Sequence, residues 1–198
     1  KKRYILNVYD TEGFRHDEPK LKVMGIEIVK SSTPKFCREE MKNCVKLIMN
    51  SDEETVQNYI SEVRNKFFNC SVEEISFPRS VNGLERYYDK TSTFTKGTPI
   101  HVKGALVYND LLHKNNLVAT YPLIKEGEKI KFVYLKQQNP TPDMVISFGQ
   151  NLPEQLNLHK YIDYEKQFEK TFIEPLKSIL DTIQWKIEKT ITLEDFFG

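Results

Sequence analysis

Chemistry in this chain has to come from a short inventory of reactive side chains. There are three cysteines, Cys37, Cys44 and Cys70, and four histidines, His16, His101, His113 and His159. Cys37 and Cys44 stand seven residues apart, about two turns of one helix, and the histidines are scattered. Zinc sites announce themselves by closely paired ligands, so no metal is expected on this chain and the thiols read as core or surface groups. No G-x-S-x-G nucleophile turn occurs, and neither G-x-x-x-x-G-K nor G-x-G-x-x-G is present to cradle a phosphate. The acidic clusters Glu39-Glu40, Asp52-Glu53-Glu54 and Glu73-Glu74 suit helix N-termini or exposed faces. No catalytic residue is assigned, and a self-contained enzyme is not expected.

What remains suits the holding of an anion. Lys1-Lys2-Arg3-Tyr4 places compact charges and a flat amphipathic ring at the entry to a strand, where they can meet a phosphate or a groove acceptor. Simple solvation of a strand entry accounts for the same residues. Lys30-Ser31-Ser32-Thr33 brings hydroxyls and backbone N–H groups to the start of a helix, as a phosphate requires. His101, Lys103, Gly104, Tyr108 and Asn109 form a third polar group on an otherwise apolar segment. At the far end, Leu193 precedes the aromatic pair Phe196-Phe197 by three positions. Such a tail either tucks its rings into its own domain or plugs the apolar pocket of a partner.

Composition sets the frame for these tracts. The chain has 198 residues, 39% hydrophobic and 12% aromatic, too apolar for a disordered protein and long enough for one medium domain. No apolar run approaches the roughly 18 residues of a membrane span, and an odd number of cysteines without knuckle spacing fits a reduced intracellular protein. Lys1-Lys2 without a Met suggests a fragment or a longer N-terminus. The net charge of +1 hides an alternation. Residues 1–35 hold eight basic and five acidic groups and residues 36–78 five and eight. Residues 79–114 hold six and three, and the remainder ten and twelve. Basic tracts therefore alternate with acidic ones, although charge alone decides no partner.

The elements that must position these residues follow from periodicity. Tyr4, Leu6 and Val8 share one face of a strand; Asp10-Thr11-Glu12-Gly13 is a turn in which Gly13 supplies a positive φ; a second strand is expected from Leu21 to Val29. Thr33 as N-cap and Pro34 at the first helical position predict a helix with Met41, Cys44, Val45 and Ile48 inward. Ser51 and Glu54 predict a capping box for a second helix with Val56, Tyr59, Ile60, Val63 and Phe67 inward, antiparallel to the first. A loop-rich stretch is expected over 77–99, then a helix carrying Ala105, Leu106, Tyr108 and Leu112, then a strand over 129–136. A long final helix over 161–185 is expected to kink or break at Pro175.

Taken together and in order, Lys1-Lys2-Arg3-Tyr4, the run from Lys20 to Glu27, and Lys30-Ser31-Ser32-Thr33-Pro34-Lys35 resemble the C-terminal part of family B replicative DNA polymerases of T-even-type bacteriophages. The likeness continues through Pro99 to Gly104, Tyr108-Asn109, Glu126-Gly127-Glu128-Lys129, Asp163-Tyr164 and Glu169 to Leu176. It is weakest over 79–98 and 148–158, where no roles are carried over. The resemblance implies an α+β fold of short antiparallel palm strands (1–32), a mainly helical thumb with a small β element (33–188) and a clamp-binding tail (189–198). It implies that Lys2 and Tyr4, supported by Lys1 and Arg3, contact primer–template duplex DNA, with Lys30, Ser31, Lys103, Tyr108 and Asn109 as thumb-side candidates. Leu193, Phe196 and Phe197 are similar to the family's sliding-clamp tail, and Thr190 stands where the wider clamp motif usually has Gln.

The palm carboxylates that hold the catalytic Mg²⁺ ions have no counterpart in this sequence, and two-metal phosphoryl transfer needs them. The resemblance therefore implies an expression fragment or split-polymerase subunit that is inactive alone. It would complete a DNA-directed DNA polymerase with an N-terminal polypeptide, in the cytoplasm of an infected bacterial host. The alternative is a non-catalytic duplex-binding or clamp-tethering accessory protein.

Overall fold

The computed structural model describes residues 4–24 and 30–188. The expectations for Lys1, Lys2, Arg3, the stretch 25–29 and the tail with Thr190, Leu193, Phe196 and Phe197 lie outside the described residues. The fold is mixed α+β with short antiparallel strands, and it divides into two compact units, residues 1–68 with 169–198 and residues 69–168. The expected thumb range, 33–188, contributes to both.

In the first unit, β1 (Tyr4–Thr11) and β2 (Phe14–Met24) form an antiparallel hairpin. Glu12 and Gly13 turn the chain with φ of 54° and 86°, the signature of a tight hairpin turn, and Asp10 Oδ1 accepts from the Gly13 N–H at 2.9 Å. β2 starts seven residues before the expected Leu21 because the turn fixes the register and draws polar residues into the ladder. Pro19, which lacks a donor, falls in the irregular stretch opposite Val8–Asp10, where no regular ladder bond is lost. None of the hairpin's described side chains is buried.

Two helices follow, α1 (Lys35–Asn50) and α2 (Glu53–Phe68). Helix α1 begins one residue later than expected, with Pro34 flanking it. Asp52 caps α2, its Oδ1 accepting from the Thr55 N–H at 2.9 Å. Ser51, the expected cap, closes α1 instead, its N–H donating to the Leu47 carbonyl at 2.8 Å. The Phe36 and Phe67 rings meet edge to face at 6.1 Å and Tyr59 donates to Glu40, so the start of α1 lies beside the end of α2. The pair is antiparallel and buries Cys37, Met41, Cys44 and Val45 with Val56, Ile60, Val63 and Phe67.

The second unit opens with α3 (Val72–Ile75), where Ser71 and Glu74 form a capping box. Strand β3 (Phe77–Ser80), helix α4 (Leu84–Tyr87) and the small ribbon β4 (Tyr88–Asp89) with β5 (Thr93–Phe94) occupy the region expected to be loop. Helix α5 (Ile100–Lys114) follows, then β6 (Lys129–Tyr134) and β7 (Val145–Phe148). The sheet order is β3-β6-β7, all antiparallel, with Phe77 stacked on Phe132 at 5.0 Å across the first pair.

Helix α5 is apolar almost all round, burying Val102, Gly104, Ala105, Leu106, Val107, Tyr108 and Leu112, as a central helix must. It lies so close on β7 that a Cβ at Gly104 would stand 2.5 Å from Ser147 Oγ and 2.7 Å from the Ser147 nitrogen. The unit ends with α6 (Tyr164–Phe168). There Gln167, fully buried, accepts from the Tyr134 N–H at 3.2 Å and donates to the Ile75 carbonyl at 2.7 Å.

The chain then re-enters the first unit through a π turn, Glu169–Ile173, and α7 (Glu174–Leu180). The single long helix expected over 161–185 is thus broken into α6, the π turn, α7 and a closing 3-10 turn, Asp181–Ile183. Pro175 has no N–H for the Thr171 carbonyl and its ring crowds that turn, so the ladder is re-registered just before it. Beyond α7, the Lys186 N–H donates to Glu53 Oε1 at 2.5 Å and Gln57 donates to the Lys186 carbonyl at 3.0 Å, tying residues 184–188 to the first turns of α2.

Candidate nucleic-acid interface

Within the hairpin, Tyr4 is half-buried opposite Met24. Leu6 faces Lys22 and Val8 faces Lys20 on the same side of the ribbon, because residues two apart and residues directly paired share a face. Tyr4 therefore stands in a row with two exposed lysines that sequence reading left without a role. Their period-2 spacing was the signal, and it became readable only with the register. Four large apolar groups of this ribbon are also exposed, among them Phe14 at 78% and Tyr9 at 61%.

Lys30 and Ser31 are exposed in the turn that enters α1, and the Lys30 carbonyl accepts from the Thr33 N–H at 3.1 Å. The first turn of α1 contains no acidic residue and receives no side-chain cap. Lys35 is exposed there beside Glu39 at 3.7 Å, and Arg38 has its Nε buried without a hydrogen-bond partner. The helix start thus offers N–H groups and cations but no carboxylate in its first turn, a setting favourable to an anion.

The three candidates on α5 are engaged within the second unit. Lys103 Nζ lies 3.1 Å from Asp143 Oδ2 and 5.0 Å from the Phe94 ring centre, which joins α5 to the 136–144 loop and to β5. Tyr108 is only 3% exposed, and burial raises its phenol above the ordinary value. Asn109 brackets one residue of the facing loop: its Oδ1 accepts from the Ile124 N–H at 2.8 Å and its Nδ2 donates to the Ile124 carbonyl at 2.9 Å.

A different group of side chains comes together on one face of β3 and the central strand β6. Arg79 of β3 lies over Phe77 at 5.5 Å and over Phe132 at 5.9 Å, and the His101 ring centre is 6.4 Å from that of Phe132. Tyr134 meets both phenylalanines edge to face, and Lys166 Nζ sits 4.9 Å from its ring centre. Burial, then the adjacent Arg79 guanidinium, push the His101 imidazole below its ordinary value, opposed by a hydrogen bond with the Ser80 backbone. Burial likewise lowers Arg79. Sequence reading assigned Arg79 nothing. Phe77-x-Arg79 is a period-2 pair, but only the pairing Phe77↔Phe132 and Arg79↔Ile130 reveals the shared face.

Exposed Arg86, Lys90 and Lys96 surround the β4–β5 ribbon. Two carboxylates organise this segment. Glu126 accepts from the Gly83 and Leu84 N–H groups at 2.5 and 2.9 Å, and Asp89 Oδ1 accepts from Thr91 and Ser92 N–H groups at 2.8 Å each. Among the described residues no three His, Cys, Asp or Glu side chains gather where they could hold a metal ion. No described helix is long and apolar enough to cross a membrane.

Comparison with known proteins gives no match to a family model. The chain is 31% identical over 202 aligned residues to the DNA-directed DNA polymerase of Enterobacteria phage T4. It is 37% identical over 202 residues to the DNA-directed DNA polymerase of Escherichia phage RB69. Each alignment covers all of this chain and 22% of the relative, so the chain spans about a fifth of the length of the curated relatives it matches.

Proposed function

We propose that this chain, similar from end to end to a fifth of two T-even-type phage DNA polymerases, serves as the C-terminal part of a DNA-directed DNA polymerase. In that role it grips primer–template duplex and completes the enzyme together with an N-terminal catalytic polypeptide. The observation that carries this reading is the similarity that covers the whole chain. The hairpin supports it. A two-stranded ribbon with none of its described side chains buried is marginal by itself, and its exposed Leu6, Tyr9, Phe14 and Met24 are what a larger sheet from the N-terminal polypeptide would cover.

Each element has a task in this reading. Tyr4 with Lys20 and Lys22 meets the duplex near the primer end, where Lys1, Lys2 and Arg3 add charge. Lys30 and Ser31 at the entry to α1 take a backbone phosphate. Such contacts tolerate any sequence, because phosphates carry no base information. The catalytic Mg²⁺ belongs to carboxylates of the other polypeptide. The tail, through Leu193, Phe196 and Phe197, engages a sliding clamp, and the assembly works in the cytoplasm of an infected bacterium.

The test is reconstitution. The chain is mixed with a polypeptide comprising the rest of the polymerase, and Mg²⁺-dependent primer extension is measured. Extension by the mixture and by neither part alone is expected. No extension, accompanied by salt-sensitive duplex binding of this chain alone, would instead favour the accessory protein.

A further inference from the structure

We propose that Glu53 and Gln57, in the first turns of α2, moor the strap 184–188 and thereby fix the point from which the C-terminal tail reaches a sliding clamp. The inference rests on the reading of that tail as a clamp-binding peptide, and it makes Glu53 and Gln57 positioning residues for that contact. Three observations lead to it. The chain leaves its last helical turn through a Schellman closure. There the Gln184 N–H donates to the Asp181 carbonyl at 3.3 Å, the Trp185 N–H donates to the Leu180 carbonyl at 3.0 Å, and Gln184 takes a φ of 61°. A residue other than glycine adopts that conformation at a cost, and it persists where the surrounding structure holds it.

Secondly, the strap that follows is held by its backbone. The Lys186 N–H donates to Glu53 Oε1 at 2.5 Å, and Gln57 Nε2 donates to the Lys186 carbonyl at 3.0 Å and to the Glu188 carbonyl at 3.4 Å. Gln57 is only 8% exposed, and Glu53 Oε1 lies 3.4 Å from the same amide nitrogen. Along the strap Trp185 and Ile187 are half-buried and Lys186 and Glu188 exposed, the alternation of an extended segment. Thirdly, Glu53 is not needed to start its own helix, because Asp52 already caps α2 through the Thr55 N–H, and its carboxylate serves the strap instead.

Chain ends fray unless they are tied down, and here the tie stops just short of the tail. With the strap moored, the tether to Leu193 starts at Glu188; with the strap released, it starts near Gln184 and is roughly twice as long. Effective concentration falls with about the 3/2 power of tether length, so release should lower the gain from a second, linked contact by about threefold. A role confined to packing would lower the stability of the α1–α2 pair and leave that gain unchanged.

The experiment uses the full chain, with Trp185, its single tryptophan, as the reporter. Acrylamide quenching of Trp185 is measured first. Affinity is then measured for an end-blocked duplex, bare and encircled by the sliding clamp of the same phage, and the ratio of the two affinities is the gain. Gln57→Glu sets a carboxylate against two carbonyls and Glu53, and should raise Trp185 quenching severalfold and lower the gain by about threefold, with bare-duplex affinity unchanged. Glu53→Gln keeps an acceptor for the Lys186 N–H and should stay near wild type in both readouts. Should Gln57→Glu not fold, Glu53→Ala releases the strap from its other partner. A Trp185 as shielded in these releasing variants as in wild type overturns the mooring. So does a released strap with an undiminished gain, and in both cases the clamp-tail reading stands. A wild-type chain that gains nothing from the clamp, or a gain that survives deletion after Thr192, overturns the tail reading and the mooring with it.

Discussion

Replacing Gly104 with alanine tests whether the backbone of α5 really rests on β7. In most helix interiors Gly→Ala stabilises by about 1 kcal/mol, because alanine has the best helix propensity and glycine the largest entropic loss. Here the added methyl would stand 2.7 Å from the Ser147 nitrogen and 3.0 Å from the Ile146 carbonyl carbon, against ordinary carbon contacts near about 3.5–4.0 Å. Neither atom is a flexible side-chain end, so the helix must lift. Overpacking of this kind costs about 1–3 kcal/mol. The shift also stretches the 2.8 Å hydrogen bond from Ser147 Oγ to the His101 carbonyl, a further loss of about 1 kcal/mol. Against the propensity gain, the net is a destabilisation of about 1–3 kcal/mol, or a midpoint roughly 3–10 °C lower in a thermal scan. Guanidinium denaturation followed by far-ultraviolet circular dichroism measures it, with Gly149→Ala as the control, since nothing lies within 4 Å of a Cβ there. A Gly104→Ala chain as stable as wild type, or more so, would refute the close approach and with it the positioning of His101 by β7.

Gln167→Leu should destabilise by about 2–4 kcal/mol in the same assay, because it strands the Tyr134 N–H and the Ile75 carbonyl in a dry interior. Asn109→Leu should cost about 1–3 kcal/mol through the Ile124 backbone groups. Cys44 is fully buried, and burial pushes its thiol up to about 12, so at pH 8 a thiol reagent should label Cys70 first and reach Cys44 only in denaturant. In the reconstituted polymerase, alanine at both Lys2 and Tyr4 should weaken primer-end engagement with the helices intact, and normal extension by that variant would remove their role. Deletion after Thr192 should abolish clamp-stimulated processivity while sparing clamp-independent extension.

Periodic signals carried most of the fold. Met41, Cys44 and Val45, with Val56, Ile60, Val63 and Phe67, are buried as their spacing requires, whereas Ile48 and Tyr59 of the same stripes are only half-buried, and Gly13 takes the positive φ of its turn. The misses have one physical origin, since each depends on a partner distant in the chain. Strand β3 is four residues of unremarkable composition, defined by pairing with β6, and Arg79 acquired meaning only through that pairing. The start of β2 was hidden because polar residues enter a ladder when the register dictates it, whatever their own preference. Ser51 looked like a cap, but its N–H was already committed to ending α1. Pro175 was a legible break, whereas its form, a π turn, depends on how the preceding carbonyls find new donors.

The candidates on α5 show why a family motif is a mixed signal. His101 and Tyr108 stand seven residues apart, about two turns, so they share one side of the helix. At one end of that side lies a half-exposed imidazole, and at the other a phenol with 3% of its surface exposed. A motif that runs through both records two different constraints, surface chemistry and interior packing. Hydrogen-bond use separates them. Asn109 has its amide oxygen and one amide N–H on Ile124, and turning that N–H to a phosphate would leave the Ile124 carbonyl unpaired at a cost of about 1–3 kcal/mol. A charge-assisted contact to phosphate returns about the same amount, so the exchange brings no net affinity. Lys103 sits between these cases. Its ion pair with Asp143 is 31% and 19% exposed at the two side chains, where such a bond is worth at most about 1 kcal/mol. A duplex phosphate could therefore draw Lys103 away from Asp143 at small cost. Asp143→Asn should then tighten duplex binding by a few fold, by removing the competing carboxylate, whereas Asn109→Ala should leave duplex affinity unchanged in the folded fraction. An Asp143→Asn chain that binds no more tightly than wild type would place Lys103 with Asn109 among the residues that hold the fold.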